Sequence, residues 1–273
     1  MNDPKISVIM SVKNGESDLA KSIGSIQAQT MPEWELIVCD DGSTDKTLCV
    51  LKDFESKDKR IRVIHNDKSK GAAEARNQCI ALTKCGIIAV QDADDESDML
   101  RFEKQLSFME QHPEFSIVGT CWYNVDEQGN KWPSDVPYMP SAKDQVKGGL
   151  FMHPSWMMRK EDVKKVGYYT VNKHTLRSQD YHLALKVLGA GMKMCNMPER
   201  LYYYYVDDNT KMRSLSWKRV IGNMWVRWDG YRRNHLPIWC YIYVFKPLLT
   251  NLLPKKVMMN HYAKVYNQQK IYK

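Results

Sequence analysis

Apolar residues in the first 120 positions fall into short β-branched runs, separated by longer stretches in which they recur at helical spacing. Lys5–Ser11 (KISVIMS), Leu36–Cys39 (LIVC), Ile61–His65 (IRVIH) and Ile87–Gln91 (IIAVQ) read as buried strands bounded by turn residues. The amphipathic stretches at about 16–28, 45–56, 71–84 and 98–112 predict helices between them. Strand and helix alternating at this spacing predict right-handed βαβ units and an α/β fold with a mainly parallel central sheet. Beyond 115 the pattern loosens: Phe115–Trp122 and Pro154–Arg159 are strand-like, Asp126–Tyr138 reads as turns and loop, Ser178–Leu188 is helical, and the aromatic run 192–206 closes the sheet.

Parallel sheets bind ligands beyond the carboxyl ends of their strands, and that is where this chain clusters its polar residues. Ser11-Val12-Lys13-Asn14-Gly15 follows the first strand, Asp40-Asp41-Gly42-Ser43 the second and Asp92-Ala93-Asp94-Asp95 the fourth. Carboxylates so close together repel one another and stay ionised only beside a compensating cation. Oxygen ligands favour Mg²⁺ or Mn²⁺, held by one or two carboxylates together with phosphate oxygens. The plainer alternative is an acidic helix start, with Asp95 or Ser97 as the cap. In the second cluster Asp41, Ser43 and Thr44 suit a turn and helix cap, which leaves Asp40 to point into the crevice toward a nucleobase or ribose. Gly71–Asn77 opens a helix of small residues, on which Arg76 is placed to neutralise a diphosphate.

Net charge changes the picture once it is divided. The chain carries 40 Lys+Arg against 32 Asp+Glu, a formal +8, but residues 211–273 hold 13 of the basic residues and a single acid, Asp229, for +12. The remaining 1–210 carry a net −4. A mildly acidic body, 1–210, is therefore expected to hold the chemistry, with 211–273 a basic, aromatic-rich helical extension. Seven cysteines without CxxC spacing point to neither a disulfide framework nor a zinc site and fit a reducing cytoplasm. No basic stretch followed by an apolar one precedes the first strand, and the apolar run Leu236–Leu253 is broken by Pro237, Lys246 and Pro247, so neither export nor a spanning helix is expected.

Four motifs in this order, SVIMSVKNGE (7–16), IVCDDGSTDKT (37–47), GAAEARNQCI (71–80) and VQDADD (90–95), resemble the inverting glycosyltransferases of family 2, whose fold is called GT-A. The resemblance covers roughly 5–210. It implies a nucleotide-sugar donor, with Ser11, Lys13, Asp40, Arg76 and Asp92 at the nucleotide-sugar, and a divalent metal on Asp94 with Asp92 or Asp95. The family commonly has Pro-x-Tyr-Asn where this chain has Ser11-Val12-Lys13-Asn14, so Lys13 replaces a ring that stacks on the base. Gln179-Asp180-Tyr181-His182-Leu183 is similar to the family's Glu-Asp-x-x-Leu segment and implies Asp180 as the catalytic base, with Gln179 in place of Glu and His182 structural. His153 and Trp156 fall in the family's strand near the acceptor pocket, where His153 would meet diphosphate or acceptor and Trp156 would stack on a sugar. A hexosyl transfer from an α-linked UDP-sugar would then give a β-linkage. A nucleotidyltransferase or a non-catalytic nucleotide-sugar-binding protein is the alternative, although Ser11–Glu16 has only one glycine for the loop a nucleotidyltransferase needs.

In the extension, apolar residues at 217, 220, 221, 224, 225, 228 and 231 have helical spacing, flanked by Lys218, Arg219, Arg227, Arg232 and Arg233. Trp, Tyr and basic residues around short apolar helices suit a membrane surface, through 216–256, more than nucleic acid. The alternative is that these helices pack on the body. The surface reading implies an acceptor carried on a polyprenyl diphosphate lipid, for O-antigen or capsule synthesis, and a peripheral enzyme on the cytoplasmic face of the inner membrane.

Overall fold

A computed structural model describes residues 3–206 and 216–252. The expected boundary near 210 and the lysines at 255 and 256 lie outside the described residues. Nine described strands form one sheet: β1 (Ile6–Val12), β2 (Trp34–Asp40), β3 (Ile61–His65), β4 (Ile87–Val90), β5 (Glu96–Ser97), β6 (Phe115–Val125), β7 (Lys131–Ser134), β8 (Met157–Arg159) and β9 (Lys193–Tyr205). Their order is β3-β2-β1-β4-β8-β6-β9-β5, with β7 paired to β6 alone. The sheet is parallel through β3-β2-β1-β4 and again between β6 and β9. It turns antiparallel where β8 joins β4 to β6, so the expected parallel sheet is mixed in its second half.

The continuous apolar runs arise because helices cover both faces. Ile6, Val8 and Met10 of β1 pack with Leu36 and Val38 of β2 against α1 (Leu19–Gln27) and α4 (Arg101–Gln111). Ile9, Ile37 and Val90 face the other way, against α3 (Ala72–Leu82) and α6 (Gln179–Gly189). The helix α2 (Thr47–Lys57) contributes Leu51 to the first core, and the short α5 (Lys160–Lys165) contributes Val163 to the second.

Two segments differ from the sequence reading. Lys131–Ser134, expected as loop, is an edge strand; it tolerates Pro133 because it pairs on one side only, and it buries Trp132. Pro154 sits not in a strand but in a 3₁₀ turn, His153–Ser155, since its ring fixes φ and supplies no N–H to a ladder.

The extension packs on the body as the helix α7 (Trp217–Arg233), lying along α6. Asp229 Oδ2 is 2.9 Å from His182 Nε2, and Asn234 Nδ2 donates to the Leu185 carbonyl at 2.9 Å. Close approach requires glycine twice: a Cβ at Gly222 would sit 2.5 Å from the His174 carbonyl oxygen, and one at Gly230 would overlap Leu185.

Gly222→Ala is therefore expected to destabilise the protein by about 1–3 kcal/mol, since the backbone it meets has to shift; an unchanged denaturation midpoint would refute this packing. A second expectation concerns pH. Burial and Arg76 push His153 down to about 3, below its value in the unfolded chain. The native state thus stays neutral at this ring while the unfolded chain takes up a proton as pH falls through about 6.5. The stability present above that pH declines by about 1.4 kcal/mol per unit from this group alone. Denaturant midpoints at pH 7 and 5 should differ less in His153→Gln than in the wild type.

Candidate functional site

A crevice of about 610 Å³ opens beyond the carboxyl ends of β1, β2 and β4. Ser11 and Lys13 line its first wall. The loop that carries them is laced to the one after β2: the Asn14 amide donates to Ser43 Oγ, the Thr44 amide to Asn14 Oδ1 and the Gly15 amide to Thr47 Oγ1, each at 2.9 Å. Ser43 and Thr44 thus brace the crevice mouth in addition to making a turn.

Asp40 does not point into the crevice. It is fully buried, its Oδ1 accepting from the Ser43 amide and hydroxyl and its Oδ2 lying 2.8 Å from His65 Nδ1. The cause is register: Asp40 and His65 are partners on adjacent parallel strands, so their side chains leave the sheet together. Of the Asp40–Asp41 pair, the carboxylate that lines the crevice is Asp41. Burial alone would raise its pKa, but donation from Ser69 Oγ (2.6 Å), the Lys70 and Gly71 amides (2.8 and 2.9 Å) and Asn66 holds it below the usual carboxylate value. Gly42, at φ 71°, lets this turn press on the 66–69 loop, where a Cβ would come within 2.8 Å of the Ser69 nitrogen.

Across the crevice, Arg76 reaches from the second turn of α3 and places Nη2 2.8 Å from Asp92 Oδ1. Burial opposes its charge, and the Asp92 partner outweighs that opposition. Its Nε and Nη1 are buried without a hydrogen-bond partner among the described residues. Asp92, Asp94 and Asp95 each bring a carboxylate oxygen within 4.8 Å of the others. They are not a helix cap, since α4 begins only at Arg101. Asp92 and Asp94 line the crevice while Asp95 is buried behind them, accepting from the Tyr205 amide at 2.9 Å. Burial, then the charges of Asp94 and Asp92, push Asp95 well above the usual carboxylate range. Such a set of hard oxygen donors fits a divalent cation of the Mg²⁺ or Mn²⁺ kind.

The support of this cluster was not anticipated from the sequence. Gln91 donates to the Asp92 and Asp95 carbonyls and accepts from Ser97 Oγ at 2.6 Å. Arg101 is fully buried, and all its acceptors are neutral: Gln91, Ser97, Gln105 and the Val90 and Trp156 carbonyls. Burial lowers its pKa to about 10, with Tyr202 and Asp92 acting to keep it charged. Apolar-helix spacing marks Arg101 and Gln105 as inward-facing, but long-range partners cannot be read from spacing.

Asp180 lies half-buried in the first turn of α6. Burial raises its pKa, against the pull of a backbone N–H and of Arg76, while Asp92 reinforces the rise. Arg76 and Asp92 both act on its charge, but Asp180 is not itself among the residues that line the crevice, where Gln179 of the same turn is. The expectation for His153 and Trp156 fails on exposure. His153 is buried with Nε2 2.8 Å from the Tyr169 hydroxyl. Trp156 is buried in the second core, its ring centroid 4.9 Å from that of His153. Neither reaches the crevice, because the Pro154 turn folds them under it; Arg177 and Gln179 line that side instead. His182 is buried against Asp229, as a structural residue would be.

Residues 7–167 match the family model described as glycosyl transferase family 2. Bacillus subtilis (strain 168) EpsE, which carries a glycosyltransferase name, is 37% identical over 269 residues, covering 98% of this chain and 96% of that one. The Escherichia coli UDP-Glc:alpha-D-GlcNAc-diphosphoundecaprenol beta-1,3-glucosyltransferase WfgD is 40% identical over 109 residues, covering 40% of this chain and 42% of WfgD. Among solved structures, S. aureus TarS with UDP-GlcNAc superposes with a TM-score of 0.70 at 17% identity, over 91% of this chain and 71% of that one. The Pyrobaculum calidifontis mannosyltransferase PcManGT, with GDP-Man and Mn²⁺, gives 0.65 at 14% identity, over 97% and 81%. With a family model spanning more than half its length and a near full-length relative, this chain, folded as GT-A, belongs to glycosyl transferase family 2.

Proposed function

We propose that the protein is an inverting, divalent-metal-dependent hexosyltransferase that moves a sugar from a UDP-linked donor to a lipid-linked saccharide acceptor. The observation that carries this reading is the crevice itself: Asp92, Asp94 and the Arg76 guanidinium line it, Asp95 is buried behind them, and Asp180 follows directly on the lining Gln179. WfgD, whose name specifies a UDP-sugar donor, a diphosphoundecaprenol-linked acceptor and a β-linked product, supports donor, acceptor and stereochemistry. The role belongs to surface-polysaccharide assembly, O-antigen or capsule, where soluble donor meets lipid-borne acceptor on the cytoplasmic face of the inner membrane.

Asp94, with Asp92 or Asp95, would hold Mn²⁺ or Mg²⁺, which supplies Lewis-acid neutralisation of the charge that develops on a departing diphosphate. Arg76 orients Asp92, and its two unpartnered nitrogens are donors for diphosphate oxygens. Ser11, Lys13 and Asp41 bound the nucleotide end, where the Lys13 stem covers a base face in place of an aromatic ring. Asp40 serves this end indirectly, by fixing the Ser43 turn. Asp180 takes the proton of the acceptor hydroxyl as that oxygen attacks the anomeric carbon. The bond from the anomeric carbon to the diphosphate breaks with its electron pair leaving on the nucleoside diphosphate, so a single displacement inverts an α-linked donor to a β-product.

Asp180→Asn should lower transfer by about 10²–10⁴-fold with donor binding retained; transfer at the wild-type rate would dismiss Asp180 as base. Because its carboxyl titrates above the ordinary aspartate value, the acidic limb of kcat/KM should lie above that value, activity being lost as pH falls and the base takes up a proton. Asp94→Ala should abolish the Mn²⁺-dependent part of UDP binding in calorimetry while the melting temperature holds. Metal-independent UDP binding of equal strength in both proteins would contradict the assignment.

A further inference from the structure

Beyond α7 the chain runs on as a 3₁₀ helix, Ile238–Phe245, continuing directly into the α-helix Lys246–Leu252. Its inner side is fixed to the body. Cys240 and Val244 join a small core with Tyr231, Leu185 and Val146, and Lys246 Nζ donates to the Lys147 carbonyl. The outer side is a stripe of Ile238, Ile242, Phe245, Leu249 and Leu252, all exposed, Ile238 at 85% and Ile242 at 69%. Scattered apolar residues on a surface are ordinary, but five exposed within fifteen consecutive residues are not. Lysines border it: Lys143 Nζ lies 5.2 Å from the Trp239 ring centroid, and Lys147 is exposed beside it. The nearby Asp144 carboxylate is engaged by Ser141. Asp229, the extension's one acid, is buried against His182 and Arg233. The extension therefore presents apolar and cationic groups outward and no carboxylate among the described residues.

We propose that the Ile238–Leu252 stripe seats in the surface of an anionic lipid bilayer, lying in the plane of the headgroups with Lys143 and Lys147 toward lipid phosphates. A protein partner would have to match a narrow apolar stripe, whereas a bilayer accepts it and rewards the lysine fringe. The stripe lies flat; no described helix is long and apolar enough to cross a membrane. The seat also connects to the site. Tyr181, next to Asp180, donates its hydroxyl to the Gln145 carbonyl at 2.7 Å, in the same 3₁₀ turn (Asp144–Lys147) that receives Lys246. The stripe thus holds the Asp180 helix at a set height above the lipid, where a lipid-linked acceptor would present its hydroxyl. That last step rests on the transferase reading; the lipid seat does not.

Flotation of the full chain with vesicles of phosphatidylethanolamine and phosphatidylglycerol tests it. The wild type should float, less so in high salt, and the triple variant I238E/I242E/F245E should bind about tenfold more weakly or worse. The pair K143E/K147E, at exposed positions outside the stripe, should weaken binding by a similar factor and carries the test if the triple variant loses its cooperative melt. A wild type that stays at the bottom of the gradient, or variants that float as well as the wild type, would overturn the proposal. So would a dimer that the triple variant dissociates while the wild type ignores vesicles, since a second copy would then own the face. UDP release from donor sugar without vesicles, retained in the variants, separates loss of the seat from failure of the transferase reading.

Discussion

Mutual repulsion among Asp92, Asp94 and Asp95 is the constraint around which the rest of the structure is arranged. Holding three carboxylate oxygens within 4.8 Å of one another, one of them on a buried side chain, is unfavourable without compensating charge. Arg76 supplies part of it by direct contact from α3, and Arg101 adds a second buried cation beneath the strand end, bonded only to neutral oxygens. Gln91 and the Tyr205 amide then fix the backbone and carboxylate positions that repulsion would otherwise spread. Asp95, its pKa raised by burial and by its two neighbours, sits behind, and the pair facing the crevice is Asp92 with Asp94. The remaining negative charge is directed outward, to where a cation and a diphosphate would neutralise each other.

That arrangement depends on the sheet. Parallel strands β1, β2 and β4 end at one edge, so three loops far apart in sequence meet there, and the two helices on one face carry Arg76 and Asp180, α3 the first and α6 the second. The position of Asp180 is fixed in turn by contacts remote from the crevice. His182, two residues on, is clamped by Asp229 of α7, and Tyr181 is tied to the Gln145 carbonyl. The extension is thereby part of the support of the proposed base.

Much of this was legible in the sequence because it depends on local pattern. The four β-branched runs became β1 to β4 within a residue or two, and Ser11, Lys13, Arg76, Asp92 and Asp94 all reached the crevice. What failed depends on register and tertiary burial. Whether Asp40 or Asp41 faces the ligand is decided by which neighbour β2 pairs with, and that neighbour put His65 opposite Asp40. His153 and Trp156 have residue types suited to sugar and phosphate, yet the Pro154 turn carries them beneath the crevice, where His153 holds Tyr169 instead. Arg101 carries no local signal of its role, since its partners are Gln91, Ser97, the Val90 and Trp156 carbonyls and Gln105 of its own helix.

The basic extension posed a choice between packing on the body and meeting a membrane, and the packing that is seen leaves a second face open for the proposed lipid seat. Packing draws on the small and internally paired positions: Gly222 and Gly230 for close approach, and Asp229 for His182. Burying Asp229 removes the extension's one acid from the surface, so the inward contact itself leaves the described outward face without a carboxylate. A sum of charges cannot show this, because it counts a buried aspartate and an exposed lysine alike. Position sorts them: among the described residues of the extension, Asp229 is buried against His182, Arg232 and Arg233, and no acid is left exposed.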